Sequence, residues 1–144
     1  MENRYICYCG LYCENCAVMA KIDPAAEILY NEMKKAGFED VIHFIPGGDG
    51  FWPFLKNMAE NGSCASCRSG GGDPGCAIRL CAMEKGVEMC AFCESYPCET
   101  MEGFLRTRPA IRADNALLLE KGLEAWSELQ DGRRASGYVF QDQK

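Results

Sequence analysis

The clearest helical pattern in the first half of the chain begins at Asp23 and Pro24. A carboxylate can accept hydrogen bonds from the free N–H groups of a helix start, and proline needs no such bond at the first helical position. The apolar positions that then face one side are Ile28, Leu29, Met33 and Ala36. Gly37 follows as a C-terminal cap, so the pattern predicts a helix over residues 24–36.

A longer helix is predicted near the C-terminus, from about residue 111 to between 129 and 131. Its apolar stripe consists of Ala116, Leu119, Leu123 and Trp126, widened by Leu118, Ala125 and Leu129. A stripe of this width is typical of a helix that packs against the core. Arg133 and Arg134 come next and complement the partial negative charge at the helix end.

The remaining pattern is shorter and less regular. Alternation over residues 5–8 predicts a strand, and residues 137–140 have a similar pattern, so we expect the termini to pair in a two-stranded ribbon. Glycine-rich loops at 46–50 and 69–75 are followed by predicted helices, the first of which ends near Asn61. The sequence therefore predicts a mainly α fold: a small single domain, residues 1–144, of about five helices around cysteine-ligated metal sites.

The unusual feature of the composition is cysteine, which accounts for 11 of the 144 residues. The N-terminus has no secretory signal pattern, and no apolar run reaches the roughly 18 residues that cross a bilayer. We therefore expect a cytoplasmic protein, in which thiols stay reduced and bind metal more often than they form disulfides. A net charge of −6 argues against a nucleic-acid partner.

The spacing of the cysteines is that of metal ligands. Three CxxC pairs are present: Cys13 with Cys16, Cys64 with Cys67, and Cys90 with Cys93. Two intervening residues allow a tight turn to place both sulfurs about 2.3 Å from one zinc ion, and two such pairs complete a closed site. The candidate ligands are Cys9, Cys13, Cys16, Cys64, Cys67, Cys76, Cys81, Cys90, Cys93 and Cys98.

The division of these ligands among sites stays open in the sequence. Cys7 falls in the predicted strand and is set aside. Cys76 and Cys81 would point about 140° apart on an undistorted helix, so they either bind different metals or straddle a helix start. Cys98 follows Pro97 at a predicted helix N-terminus, which suits a ligand or a reactive thiol.

Few other side chains suggest chemistry. The single histidine, His43, lies among apolar residues and is expected to be a packing residue, so a site must be built from sulfur, which leaves zinc or an iron–sulfur cluster. The aromatic residues Phe51, Trp52 and Phe54 are expected in the core. Glu99 and Glu102 are expected on a solvated helix face, and the sequence does not favour an enzyme.

The cysteine motifs resemble those of a known family. The segments C-G-L-Y-C-E-N-C, C-A-S-C and C-A-I-R-L-C-A-M-E-K-G-V-E-M-C-A-F-C-E-S-Y-P-C are similar to a prokaryotic family of cysteine-rich domains of unknown function, the DUF3795 type, over residues 9–105. The resemblance implies a zinc-binding domain whose metal-site region spans 9–98. It implies no reaction.

Two classes of function fit these observations. The first is a zinc-binding domain with structural four-cysteine sites, which acts as an interaction or accessory module for an unknown protein partner. The alternative is an iron–sulfur protein, either for electron transfer or with surplus redox thiols. Cys9, Cys13 and Cys16 also have the CxxxCxxC spacing of radical S-adenosylmethionine enzymes, although Asn15 and the short chain argue against that fold.

Overall fold

The computed structural model describes residues 3–143 and contains six α-helices in that range. They are α1 (Asp23–Lys35), α2 (Phe38–Val41), α3 (Gly48–Asn61), α4 (Ala77–Glu84), α5 (Glu99–Arg106) and α6 (Pro109–Ala135). The mainly helical prediction is confirmed. The chain divides into two compact units, one comprising Met1–Cys16 with Ala65–Lys144 and the other Ala17–Cys64. None of the described helices is long and apolar enough to cross a membrane.

The predicted ribbon between the termini does not form. Within residues 3–143 there is no strand, and the only bridge that involves the N-terminal segment joins Ile6 to Tyr12. The Cys7 N–H donates to the carbonyl of Leu11 at 2.8 Å, so the loop satisfies its own backbone. The C-terminal segment approaches through a side chain instead, because Phe140 packs against the apolar cluster that contains Ile6 and Tyr12.

The Ala17–Cys64 unit has a small core between α1 and α3. Ala26, Tyr30 and Leu55 are buried there, and the Tyr30 and Trp52 rings lie 5.1 Å apart. Gly48 allows a close backbone approach, since a Cβ would lie 1.8 Å from the carbonyl oxygen of Ile42. Position 48, where the backbone passes close to the Ile42 carbonyl, therefore requires glycine.

Several predictions for this unit are wrong in detail. Of the three aromatic residues expected in the core, Trp52 packs inside, but Phe51 and Phe54 are exposed. His43 is exposed rather than packed. One face of α3 packs against the core and the opposite face is exposed to solvent. Phe51 and Phe54 lie on the exposed face.

The start of α1 also differs from the prediction. Asp23 makes no capping bond, because the preceding residues Val18–Ile22 already form a π-helical turn whose backbone runs into α1. The Asp23 carboxylate instead accepts hydrogen bonds from the N–H of Ser63, at 3.0 Å, and from its hydroxyl. The buried face of α1 is consequently that of Ala26 and Tyr30, whereas Ile28 and Leu29 are exposed.

The larger unit packs two apolar clusters against α6. The first contains Leu118 and Trp126 with Ile6, Tyr12, Met89 and Ala91. The second joins α4, α5 and the start of α6, and it contains Ile78, Ala82, Cys90, Met101, Leu105 and Ile111. These clusters position the cysteine loops, because buried cysteines and cysteine neighbours form part of both.

The predicted stripe on α6 is right for Trp126 and Leu118 but wrong for Leu119 and Leu123, because the helix is interrupted. Gly122 has φ 84° and ψ 177°, so the helical phase before it does not continue after it. Leu118 and Trp126 are buried, while Leu119 and Leu123 are about half exposed. A stripe drawn at constant 3.6-residue spacing across Gly122 therefore selects the wrong leucines.

Two adjacent leucines of α6 test this register. We expect Leu118→Ala to lower the free energy of unfolding by about 2–5 kcal/mol, because Leu118 is 1% exposed and its removal leaves a cavity. Leu119→Ala is the matched control, and it should change stability by no more than about 0.5 kcal/mol. Urea denaturation followed by circular dichroism measures both. Equal effects would contradict the observed register.

Candidate functional site

The eleven cysteines, all within the described residues, form no disulfide. Eight of them gather in two groups. We call Cys7, Cys9, Cys13 and Cys67 the N-terminal sulfur cluster, because the Cys7 and Cys13 sulfurs lie 3.3 Å apart and Cys7, Cys9 and Cys67 line one cavity. We call Cys81, Cys90, Cys93 and Cys98 the C-terminal sulfur cluster, because all four line one small cavity.

Two of the three CxxC pairs adopt the tight turn that their spacing predicts. The Cys16 N–H donates to the Cys13 carbonyl at 2.9 Å, and the Cys93 N–H donates to the Cys90 carbonyl at 3.0 Å. Each turn is a short 3-10 helix that begins at the first cysteine. The third pair differs, since Cys64 belongs to the smaller unit and Cys67 to the larger one.

A compact loop presents Cys7 and Cys9. The Gly10 N–H donates to the Cys7 carbonyl at 3.0 Å, and Gly10 has φ 93°, which favours glycine. The Asn115 side chain on α6 donates to the Cys9 carbonyl at 3.1 Å. A Cβ on Gly10 would lie 1.9 Å from the Asn115 Oδ1 atom, so glycine allows this contact.

A buried polar network fixes the Cys13–Cys16 turn to α6. The Asn15 side chain is fully buried and donates to the Gln130 side-chain oxygen at 2.9 Å. Gln130 in turn donates to the Asp114 carboxylate, which also binds Arg133. Asn15 therefore has a structural role, which a comparison of cysteine spacings alone does not reveal.

The thiols of the N-terminal sulfur cluster shift one another's pKa values. Hydrogen bonding to Cys13, and then to Cys67 and Cys9, raises the pKa of Cys7, and burial adds to this. Hydrogen bonding to Cys7 in turn lowers the pKa of Cys9 and Cys13, and it lowers the pKa of Cys67 to about 6. These interactions favour the protonated form of Cys7 and the thiolate forms of its neighbours.

The C-terminal sulfur cluster surrounds a small cavity of about 20 Å³. Cys81 comes from α4 and Cys98 is the residue that precedes α5, while Cys90 and Cys93 come from their shared turn. Burial, followed by the negative charges of neighbouring cysteines, raises the pKa of Cys90 to about 12. A cation at this point would relieve that repulsion.

The other three predicted ligands are Cys16, Cys76 and Cys64. Cys16 accepts a hydrogen bond from the Gln141 amide at 3.1 Å. Cys76 precedes α4 and lines a cavity of about 610 Å³ together with Cys7, Cys9 and Cys67. Cys76 and Cys81 thus straddle a helix start and face different cavities. Cys64 is half-buried in the smaller unit.

The thiols of each cluster lie close together, but they are not arranged as ligands around a metal ion. In residues 3–143, no group of three or more cysteine, histidine, aspartate or glutamate side chains is positioned as it stands to hold a metal ion. The donor set nevertheless suits a soft metal, because each cluster offers four sulfurs. Rotation of cysteine side chains about χ1 would move the sulfurs without moving the backbone turns.

Sequence reasoning overlooked the central position of Cys7. The expected strand directed attention away from it, yet the Cys7 sulfur lies 3.3 Å from that of Cys13 and lines one cavity with Cys9 and Cys67. The available signal was Gly10, since a glycine just after Cys7-Tyr8-Cys9 is typical of a tight turn rather than a strand.

Fold and site together define a helical, cysteine-rich protein with two clusters of four thiols. The chain belongs to the family described as "Protein of unknown function (DUF3795)", whose model matches residues 5–103. No curated protein and no solved structure gives a significant match to the chain.

The close approach of Gly10 to Asn115 gives a test of the loop geometry. We expect Gly10→Ala to lower the free energy of unfolding by more than about 1 kcal/mol, because it strains a positive φ and displaces Asn115. Gly103→Ala is the control, since Gly103 lies inside α5 with open space around it and alanine favours helix by about 0.5–1 kcal/mol. Urea denaturation distinguishes the variants, and a stable Gly10→Ala protein would contradict the loop structure.

Proposed function

We propose that this chain is a zinc-binding domain in which the C-terminal sulfur cluster is a structural four-cysteine site. The observation that carries the proposal is the convergence of Cys81, Cys90, Cys93 and Cys98 on one cavity of about 20 Å³. Four thiols with no other donor type fit the sulfur-only site that structural zinc prefers. Cys81 and Cys98 also tie the metal to α4 and α5, so that its binding energy would stabilise the fold.

The size of the cavity supports zinc over an iron–sulfur cluster at this position. The cavity is far smaller than the one of about 610 Å³ beside the N-terminal sulfur cluster, which favours a single metal ion over a larger iron–sulfur cluster. Lys85 supports a metal–thiolate site here, because its ammonium group lies 3.9 Å from the Cys93 sulfur and would balance part of the negative charge of a four-thiolate zinc site.

A closed four-cysteine site leaves the metal no open position for a substrate. The role that follows is that of an interaction or accessory module for a protein partner, in the reducing environment of the cytoplasm, where thiols remain available to metal. Exposed large apolar side chains support a partner-binding role, among them Phe44 at 79% and Phe54 at 62% exposure. The net charge of −6 favours a protein over a nucleic acid.

Metal analysis of anaerobically purified protein tests the proposal. We expect a colourless protein that contains zinc, and a Cys93→Ala variant that binds zinc at least about tenfold more weakly in competition with a chelator. Ser95→Ala is the matched control, because Ser95 lines the same cavity without offering a thiol. A brown, iron-containing protein would overturn zinc. Unchanged zinc binding by Cys93→Ala would overturn the C-terminal site.

Removal of the metal gives a second, independent test. Chelation at neutral pH should reduce the helix content measured by circular dichroism, because α4 and α5 would lose the link between Cys81 and Cys98. Zinc added back should restore the signal. Helix content that is fully retained after the zinc has been removed would show that the metal does not stabilise the fold.

A further inference from the structure

The N-terminal sulfur cluster lies outside the site proposed above and has the composition of another one. The Cys7 and Cys13 sulfurs are 3.3 Å apart. Two sulfurs bound to one tetrahedral zinc at 2.3 Å lie about 3.8 Å apart, so this pair needs to separate by only about 0.5 Å. Cys9 and Cys67 line the same cavity as Cys7.

We propose that Cys7, Cys9, Cys13 and Cys67 bind a second zinc ion. This inference rests on the proposed function of the chain as a zinc protein, and it assigns the ligands of the second site. Each thiol that binds releases its proton to solvent, and no oxidation or reduction takes place.

The charges around the cluster support this assignment. Four thiolates and one Zn²⁺ ion carry a net charge of −2, and a buried charge of this size needs positive partners. Arg79 is 7% exposed and donates to the backbone carbonyls of Cys67, Gly71 and Asp73. No carboxylate pairs with it in the part of the chain that the structure describes. A zinc–thiolate site beside Cys67 supplies the negative charge that this buried guanidinium lacks.

Arg68 provides the second positive charge and also holds the loop. Its guanidinium donates to the carbonyls of Ile6 and Glu88 and lies 4.5 Å above the Tyr8 ring. Ile6 and Tyr8 flank Cys7, and the positive charge of Arg68 acts on Cys13. Two arginines thus neutralise the formal charge of −2 while fixing the backbone on both sides of the cluster.

Zinc stoichiometry in matched variants tests the ligand assignment. We expect two zinc ions per wild-type chain and one in Cys7→Ala, in Cys9→Ala and in Cys93→Ala. Cys9 is half-buried, so its variant reports on the same site if Cys7→Ala does not fold. Cys16→Ala is the control, because Cys16 bonds to Gln141 and should leave both zinc ions in place.

Each outcome of this experiment decides a specific point. One zinc per wild-type chain that is lost in Cys93→Ala and kept in Cys7→Ala and Cys9→Ala overturns the second site alone. One zinc that is lost in Cys7→Ala and Cys9→Ala and kept in Cys93→Ala overturns the C-terminal site and supports this one. If one zinc ion is lost in Cys16→Ala and kept in Cys7→Ala, the ligand assignment is overturned. A wild-type chain that binds no zinc overturns both proposals.

Discussion

The attachment of the N-terminal cysteine loop to helix α6 is the constraint on which both sulfur clusters depend. Asn115 binds the Cys9 carbonyl and Asn15 binds Gln130, across 106 and 115 residues of sequence. Such a bond contributes only about 0.5–1.5 kcal/mol, but leaving a buried partner unsatisfied costs about 1–3 kcal/mol. These contacts therefore select one position for the loop, and that position brings Cys7, Cys9 and Cys13 to Cys67.

The second constraint is the mutual repulsion of neighbouring thiolates. In the N-terminal sulfur cluster, hydrogen bonding raises the pKa of Cys7 and lowers that of Cys67. In the C-terminal sulfur cluster, burial and then the negative charges of neighbouring cysteines raise the pKa of Cys90. In both places a cation would replace an unfavourable arrangement of protons with a direct bond to each sulfur. Zinc is the cation that we propose for this role.

Local signals in the sequence predicted local structure well. The mainly helical fold, the turns at Cys13 and Cys90, and the start of α5 at Cys98 all follow from spacing and capping rules. The predictions that were wrong concern features that depend on distant contacts or on one exceptional residue. Gly122 breaks the phase of α6, the π-helical turn before α1 removes the need for the Asp23 cap, and the grouping of Cys7 with Cys67 arises only in the folded chain.

The two sulfur clusters are also neighbours in the backbone. The Cys90 N–H donates to the Tyr8 carbonyl at 2.7 Å, and Tyr8 lies between Cys7 and Cys9. The negative charge of Cys9 also acts on Cys90. A metal that orders one cysteine loop therefore reduces the conformational freedom that the other loop must lose on binding its own metal. This would favour metal binding at the other cluster. Charge acts in the same direction, since a metal that neutralises one set of thiolates weakens their repulsion of the other.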